Sequence, residues 1–235
     1  MIPFASLTRA TLLRRYKRFL ADVVLADGSE STIHCPNPGA MTGLATPGAT
    51  LWLAPGKAKL PWSWELTEVD GLPVGINANR ANAIVADALG RGAIPELADY
   101  PHWRREVPCG PGSRIDFLLT GPDRPDLYLE IKNVHLCRIG GLAEFPDCPT
   151  ARGARHLHEL TARVAEGHHA AMLFVVQRMD CNRLSLAEDI DPAYGQAFRR
   201  AQAAGVRMLC YDCTLTQAGT ELRAGLPIAL TEITL

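Results

Sequence analysis

At 235 residues the chain is long enough for one large or two small domains with a substantial buried core, and its formal net charge of -1 offers no overall attraction to nucleic acid. No apolar run approaches the roughly 18 residues that span a bilayer, and no charged-then-apolar leader with a cleavage site opens the chain, so the expectation is a cytoplasmic protein with no membrane partner. Seven cysteines scattered from Cys35 to Cys213 fit reduced thiols better than a disulfide framework.

Residues 1–21 hold Arg9, Arg14, Arg15, Lys17 and Arg18 and no acid, with Tyr16 and Phe19 among the cations. Such a stretch suits phosphate contacts through Arg14, Arg15, Lys17 and Arg18 and a base contact through the Tyr16 ring. A terminal strand with a solvated basic face has the same composition. Short strands are expected at 19–26 and 31–35 around the turn dipeptide Asp27-Gly28, then at 50–54, 64–69 and 74–77, with Asp70-Gly71 as a further turn. Short strands with frequent turns point to a small closed barrel of OB type, a fold that binds oligonucleotides or oligosaccharides. Between them, the stretch from Cys35 to Leu44 is too rich in proline and glycine for regular structure and reads as a shaped loop. Trp52, Trp62 and Trp64 could stack on sugar rings, which keeps a carbohydrate-binding protein as an alternative, although tryptophans in small strands are more often core.

After residue 77 helices and strands alternate, so the expected division is a barrel over 1–77 and a second domain over 78–235. Asn79 can cap a helix in which Ala81, Ile84, Val85, Ala88 and Leu89 recur at helical spacing, with Gly90 or Gly92 to end it. Strands follow near 115–119 and 127–134, then a helix near 151–166 with Leu157, Leu160 and Val164 inward. Residues 170–177 read as a buried strand. Asp191-Pro192 opens a helix to about residue 204, and 206–211 is a further strand. The class is therefore α/β (α+β), with a mixed sheet wrapped by helices after the barrel. Cys210 and Cys213 are the only close cysteine pair; without a second pair at zinc-like spacing they read as buried strand thiols.

The densest chemistry lies at Asp116 and at Glu130-Ile131-Lys132, fourteen positions later. On a strand, Glu130 and Lys132 share a face while Ile131 packs on the other. A neighbouring strand carrying Asp116 would complete a two-carboxylate site suited to Mg2+ or Mn2+, with the lysine beside a reacting phosphate. That set fits metal-assisted phosphodiester hydrolysis. A Glu130–Lys132 ion pair satisfies the same electrostatics without any function.

These residues, together with the run Leu13 to Val23, His34-Cys35-Pro36-Asn37, Gly39-Ala40-Met41-Thr42-Gly43, Ser113-Arg114-Ile115-Asp116-Phe117, Phe145-Pro146-Asp147, Arg152-Gly153 and His156-Leu157, resemble the sugar fermentation stimulation protein A family. The motifs stand in order over nearly the whole chain. The resemblance implies an OB-like domain joined to a PD-(D/E)xK nuclease-like domain, DNA as partner, and a regulatory tie to sugar (maltose) metabolism. It makes Asp116 and Glu130 the sheet carboxylates and Lys132 the lysine that positions water, with Arg14 to Arg18 on the barrel's nucleic-acid surface. Nuclease domains of this class often add an acid from the preceding helix; Asp87 is the candidate third metal ligand, with Glu96 and Glu106 as rivals. Two positions depart from the family pattern: Pro38 replaces an expected small hydroxyl residue, and Asn133 stands where serine is common.

Arg152 and His156, four apart on a helix, would share a face and could approach a phosphate or orient an acid. Guanidinium geometry favours Arg152 as the phosphate contact. Three readings follow: a DNA-binding protein with a Mg2+-dependent endonuclease centre, a non-catalytic DNA-binding regulator on a relic nuclease fold, and the carbohydrate binder. No helix-turn-helix or zinc-finger pattern is present to expect sequence-specific readout.

Overall fold

The structure is a computed structural model and describes residues 1–56, 59–110 and 113–230. Its first half is a barrel. Strands β2 (Thr8–Tyr16), β3 (Leu20–Leu25), β4 (Glu30–His34), β5 (Thr50–Pro55), β6 (Trp62–Val69) and β7 (Leu72–Gly75) form one sheet in the order β4-β3-β2-β5-β6-β7. A parallel bridge from His34 to Ser63 joins β4 to β6 and closes five of those strands, leaving β7 hanging from β6. Alternation explains the closure: Ala10 and Leu12, Ala21 and Val23, Leu51 and Leu53 are all buried on one face, so curling the sheet gives them a common core with Ile33, Trp64 and Val74. Trp64 is fully buried, its indole N–H donating to Leu66 O and Thr67 Oγ1 at 3.1 Å each, while Trp52 and Trp62 are half-buried against the two cores. Packing accounts for the three indoles.

The second half is built on a seven-stranded sheet in the order β1-β16-β15-β13-β10-β9-β8, in which β1 is Ile2–Pro3, β8 His102–Pro108, β9 Arg114–Thr120, β10 Leu127–Val134, β13 His169–Val176, β15 Arg207–Leu215 and β16 Gly219–Gly225. The centre, β10-β13-β15, is parallel, and its edges are antiparallel. Ile2 pairs with Thr220, so the first residues of the expected 1–77 unit belong to this sheet and not to the barrel. Helix α1 (Arg80–Gly90) covers one face through Ala81, Ile84, Val85 and Ala88; helices α2 (Ala151–Ala165) and α3 (Pro192–Ala203) cover the other through Leu157, Leu160, Tyr194 and Phe198. Thr150 caps α2 by accepting from Gly153 N at 3.0 Å, and Asp191 caps α3 by accepting from Tyr194 N at 3.0 Å. A small sheet, β11 (Leu136–Ile139), β12 (Gly141–Phe145) and β14 (Cys181–Leu186), lies beside the main one.

Strands β1, β2, β8, β11, β12, β14 and β16 go beyond the sequence-based expectation. In β8 the reason is plain: His102, Arg104, Arg105 and Glu106 are exposed on an edge strand, so the apolar alternation that marks a strand is missing. Cys210 and Cys213 sit three apart on β15 and fall into cores on opposite faces of the sheet. They cannot chelate one ion, and burial pushes the Cys210 thiol up to about 12.

Barrel and sheet are joined by buried polar groups. Gly75 N donates to Gln177 O at 2.9 Å, Gln177 Nε2 donates to Asn77 O at 3.2 Å and, within the sheet domain, to Asn133 Oδ1 at 2.5 Å, and Met41 N donates to Asp147 Oδ2 at 3.3 Å. Gly39 lies so close to the Asp147 carboxylate that any Cβ there would collide with it. Asn133, one of the two departures from the family pattern, thus supports the join through Gln177. At Pro38, the other, the loop is held instead by Asn37, whose Oδ1 accepts from Gly39 N at 2.8 Å and whose Nδ2 donates to Ile76 O at 2.7 Å.

Candidate active site

Strands β9 and β10 pair as far as Phe117 opposite Leu129 and then part. At the fork Asp116 and Glu130 are the next residues on each strand. Asp116 replaces the lost ladder: its Oδ2 accepts the Ile131 amide at 2.7 Å and its Oδ1 accepts from Asn82 Nδ2 of α1 at 2.7 Å. Burial pushes the Asp116 carboxyl up to about 6, and the Glu130 charge adds to the rise, against the pull of those two donors.

Glu130 is 3 % exposed. Its Oε1 accepts from Lys132 Nζ at 2.6 Å and makes a short hydrogen bond with His156 Nδ1. Burial works to raise this carboxyl, but the His156 hydrogen bond and the Lys132 charge outweigh it and hold it below the ordinary carboxylate range. The second oxygen, Oε2, is buried with no hydrogen-bond partner. The ion pair that would make the constellation merely structural is therefore present, yet it occupies one oxygen and leaves the other bare. A buried bare carboxylate oxygen is costly unless something binds it.

His156 is itself buried, and its tautomer follows from its neighbours. Arg152 Nε donates to His156 Nε2 at 3.4 Å, so the ring proton lies on Nδ1 and is donated to Glu130. Lys132 Nζ, 3.2 Å from the same Nδ1, then spends its proton on Glu130. His156 turns Glu130 so that Oε2 stays free. An asparagine can place an N–H where Nδ1 stands and a leucine cannot. Mn2+ affinity, measured by calorimetry, is expected to fall about 10- to 100-fold in His156→Leu and to stay near wild type in His156→Asn; equal losses in both would argue against the orienting hydrogen bond.

Of the other expected ligands, Asp87 is not brought to this place. It lies five residues beyond Asn82, on another face of α1, where its Oδ2 accepts from Arg91 Nε at 2.8 Å and sits 3.6 Å from the N-terminal amine. Glu96 accepts from the Tyr211 hydroxyl at 2.6 Å, and Glu106 is exposed on β8 with φ of 52°. Helix α1 gives the site an amide, Asn82, which the sequence reading overlooked; its only signal was the helical position two residues after the start of a helix that precedes the Asp116 strand. Among the described residues no group of three or more His, Cys, Asp or Glu side chains could hold a metal ion. What the site offers is two carboxylates.

The basic N-terminal cluster divides in two. Arg15 is consumed by the loop, its guanidinium donating to the carbonyls of Asn37 at 2.8 Å, Arg18 at 2.9 Å, Gly39 at 2.9 Å and Ala40 at 3.4 Å. Arg14 Nε donates to Asp22 at 2.8 Å, and the Tyr16 hydroxyl donates to the same carboxylate at 3.0 Å. Lys17, Arg18 and Phe19 form the exposed tip between β2 and β3, Lys17 and Arg18 with φ of 48° and 62°. Of the two rings Phe19 is the more exposed, at 48 %, while Tyr16 is half-buried with its hydroxyl on Asp22. Arg15→Ala is expected to cost about 2 kcal/mol in urea unfolding through the stranded carbonyls. Lys17→Gln with Arg18→Gln should leave stability unchanged but lower the salt slope of DNA binding by about 2. The reverse pattern would refute this division.

A barrel of OB type joined to a mixed sheet flanked by helices, with paired carboxylates and a lysine at a strand fork, defines the class. The comparisons give the family. Residues 13–76 match the SfsA N-terminal OB domain, and residues 79–219 match the sugar fermentation stimulation protein RE domain. The chain is 52% identical over 229 residues to the sugar fermentation stimulation protein homolog of Azorhizobium caulinodans, covering 94% of this chain and 97% of that protein. With the homolog of Rhodospirillum centenum it shares 54% over 213 residues, covering 89% and 91%. The chain belongs to the sugar fermentation stimulation protein (SfsA) family. Its fold is also that of the solved Pyrococcus furiosus SfsA in complex with Ca2+, with a TM-score of 0.88, 24% identity, and 97% and 98% of the two chains covered. No helix among the described residues is long and apolar enough to cross a membrane.

Proposed function

We propose that this protein binds DNA and cleaves a phosphodiester bond at Asp116, Glu130 and Lys132 with Mg2+ or Mn2+. The observation that carries the reading is the bare, buried Glu130 Oε2 beside an Asp116 carboxyl whose pKa is raised to about 6. Two adjoining carboxylates that resist being ionised together are what a divalent cation relieves. The Ca2+ in the Pyrococcus furiosus protein of the same fold supports an oxygen-ligated cation of this kind.

Asp116 and Glu130 would hold the ion, with waters filling most of its shell. When bound, it would supply Lewis-acid stabilisation of the charge that develops on the phosphate. The chain's own groups do the rest. Lys132 sets a positive charge at the site and orients the attacking water; His156 fixes Glu130; Asn82 and the Ile131 amide fix Asp116. Lys17, Arg18 and Phe19 at the barrel tip, Arg14 beside them, and Arg152 on α2 contact the DNA backbone and an unpaired base. Arg15 and Tyr16 support that surface from behind. The relatives' name supports a link between this DNA transaction and sugar metabolism, which deletion of the coding region and growth on maltose would read.

The test is cleavage of single-stranded, duplex and branched DNA with Mg2+ or Mn2+. Activity in the wild type, lost in Asp116→Asn with the fold intact by circular dichroism, is expected. Salt-sensitive binding with no cleavage of any substrate would leave the non-catalytic DNA-binding regulator as the function.

A further inference from the structure

On the far side of His156 from Glu130 the surface opens into a pocket of about 440 Å3, bounded by Glu106, Ser113, Arg114, Arg152, Arg155 and His156 among others. Its charge is lopsided. Three guanidinium groups meet one carboxylate, Glu106, and among the described residues none of the three lies within 4.0 Å of it. Among the described residues Arg114 and Arg152 have no carboxylate partner in that range and Arg155 has Glu159 at 3.7 Å, an acid that already accepts from Ser113 Oγ at 2.6 Å. Arg114 makes one long contact, Nη1 to Glu106 O at 3.4 Å, and Arg152 makes one, Nε to His156 at 3.4 Å. The forks of both arginines remain open.

The cations also stand where the fold disfavours them. Arg152 is in the first turn of α2 and Arg155 in the next, at the positive end of a fifteen-residue helix whose first turn holds no acid. A cation there is disfavoured by the helix dipole, and an anion in the pocket would reverse the sign. Arginine forks match phosphate oxygens two at a time, which a peptide carboxylate in the same place would satisfy at one fork only. The pocket's size is that of a small-ligand site, enough for a phosphate with its sugar.

We propose that Arg114, Arg152 and Arg155 form a subsite for a backbone phosphate of the DNA strand adjoining the phosphate that is cut at Asp116 and Glu130. The subsite rests on the nuclease reading for its place in a reaction, but its occupancy does not need the metal. His156 lines this pocket, accepts from Arg152 at Nε2 and holds Glu130 at Nδ1, so strand binding and carboxylate orientation share a side chain.

The test uses the full chain in EDTA, with thymidine 3′,5′-bisphosphate as probe. It is expected to bind, to shift the His156 ring resonances in nitrogen-15 spectra, and to compete with DNA. Arg114→Ala with Arg155→Ala should weaken it about tenfold or more and lower the salt slope of DNA binding by about 2. Arg114→Lys with Arg155→Lys, which keeps charge and loses the fork, should fall between. Lys17→Gln with Arg18→Gln should leave probe binding unchanged. An unaltered affinity in the double alanine variant, or His156 resonances indifferent to the probe, overturns the subsite. If the probe behaves as expected while Asp116→Asn still cuts DNA, the catalytic assignment fails and the subsite stands.

Discussion

Replacing Asp116 by asparagine is expected to make the metal-free protein more stable at pH 8, by about 3 kcal/mol, while abolishing Mn2+ binding. The gain follows from linkage. Burial and the neighbouring Glu130 raise the Asp116 carboxyl from an ordinary 3.8 to about 6 in the folded chain. A group whose folded pKa is raised favours folding fully below its unfolded pKa, and that contribution is lost as pH rises through the folded value. The wild type should therefore lose stability between about pH 4 and pH 7 from this one residue, and the asparagine variant should not. The amide keeps an oxygen for the Ile131 N–H, and Asn82 can turn its own amide to accept. Saturating Mn2+ should restore most of the wild-type loss and do nothing for the variant. Urea unfolding at pH 4.5 and pH 8 with EDTA reads the first effect, and calorimetry the second. Parallel pH profiles for the two proteins would mean that Asp116 is not the strained carboxylate described here.

Glu130→Gln has the opposite sign. The Lys132 ammonium is 13 % exposed on its side chain and donates its hydrogen bond to Glu130 Oε1 at 2.6 Å, so removing the carboxylate charge strands a largely buried cation. Breaking such a pair from one side costs about 3–5 kcal/mol. Lys132→Met in the same chain should return most of that loss, since both charges are then gone, giving a coupling energy of about 2–3 kcal/mol in a double-mutant cycle. All three variants should fail to cleave DNA. The pair Asp116→Asn and Glu130→Gln thus separates function from structure: one acid whose loss is expected to stabilise and one whose loss is expected to destabilise, both expected to abolish Mn2+ binding. A Glu130→Gln protein as stable as the wild type would make the ion pair irrelevant to folding.

Local pattern made much of this legible. Glu130 and Lys132 share a strand face because side chains alternate, and the alternation of 21, 23, 51 and 53 marks barrel strands; Ala10 and Leu12 join the same core on a strand whose charged outer face hid it. The cap at Asp191 is likewise local, three residues before the amide it accepts. The charge cluster at 14–18 was visible as composition, but composition does not say which cation is spent: Arg15 faces the loop 37–40 and Lys17 faces solvent because β2 turns between them.

The sequence by itself determined that two carboxylates and a lysine meet on neighbouring strands, that a small barrel precedes a mixed sheet, and that the motifs follow the order of one family. Only the tertiary structure decided how the site is completed. Asp87 was the third acid suggested by the resemblance, with helix spacing unable to choose it over Glu96 or Glu106, yet the rotation of α1 over the sheet turns Asn82 to Asp116 and sends Asp87 to the opposite edge, beside the N-terminus. That rotation is set by the burial of Ala81, Ile84, Val85 and Ala88 against strands far away in sequence. The same holds for His156, twenty-six residues from Glu130 and in contact with it only because α2 packs across β10 and β13. Periodicity specifies which face of an element is buried; which polar residue then meets which depends on how two such faces are set against each other, and that is a property of the packed whole.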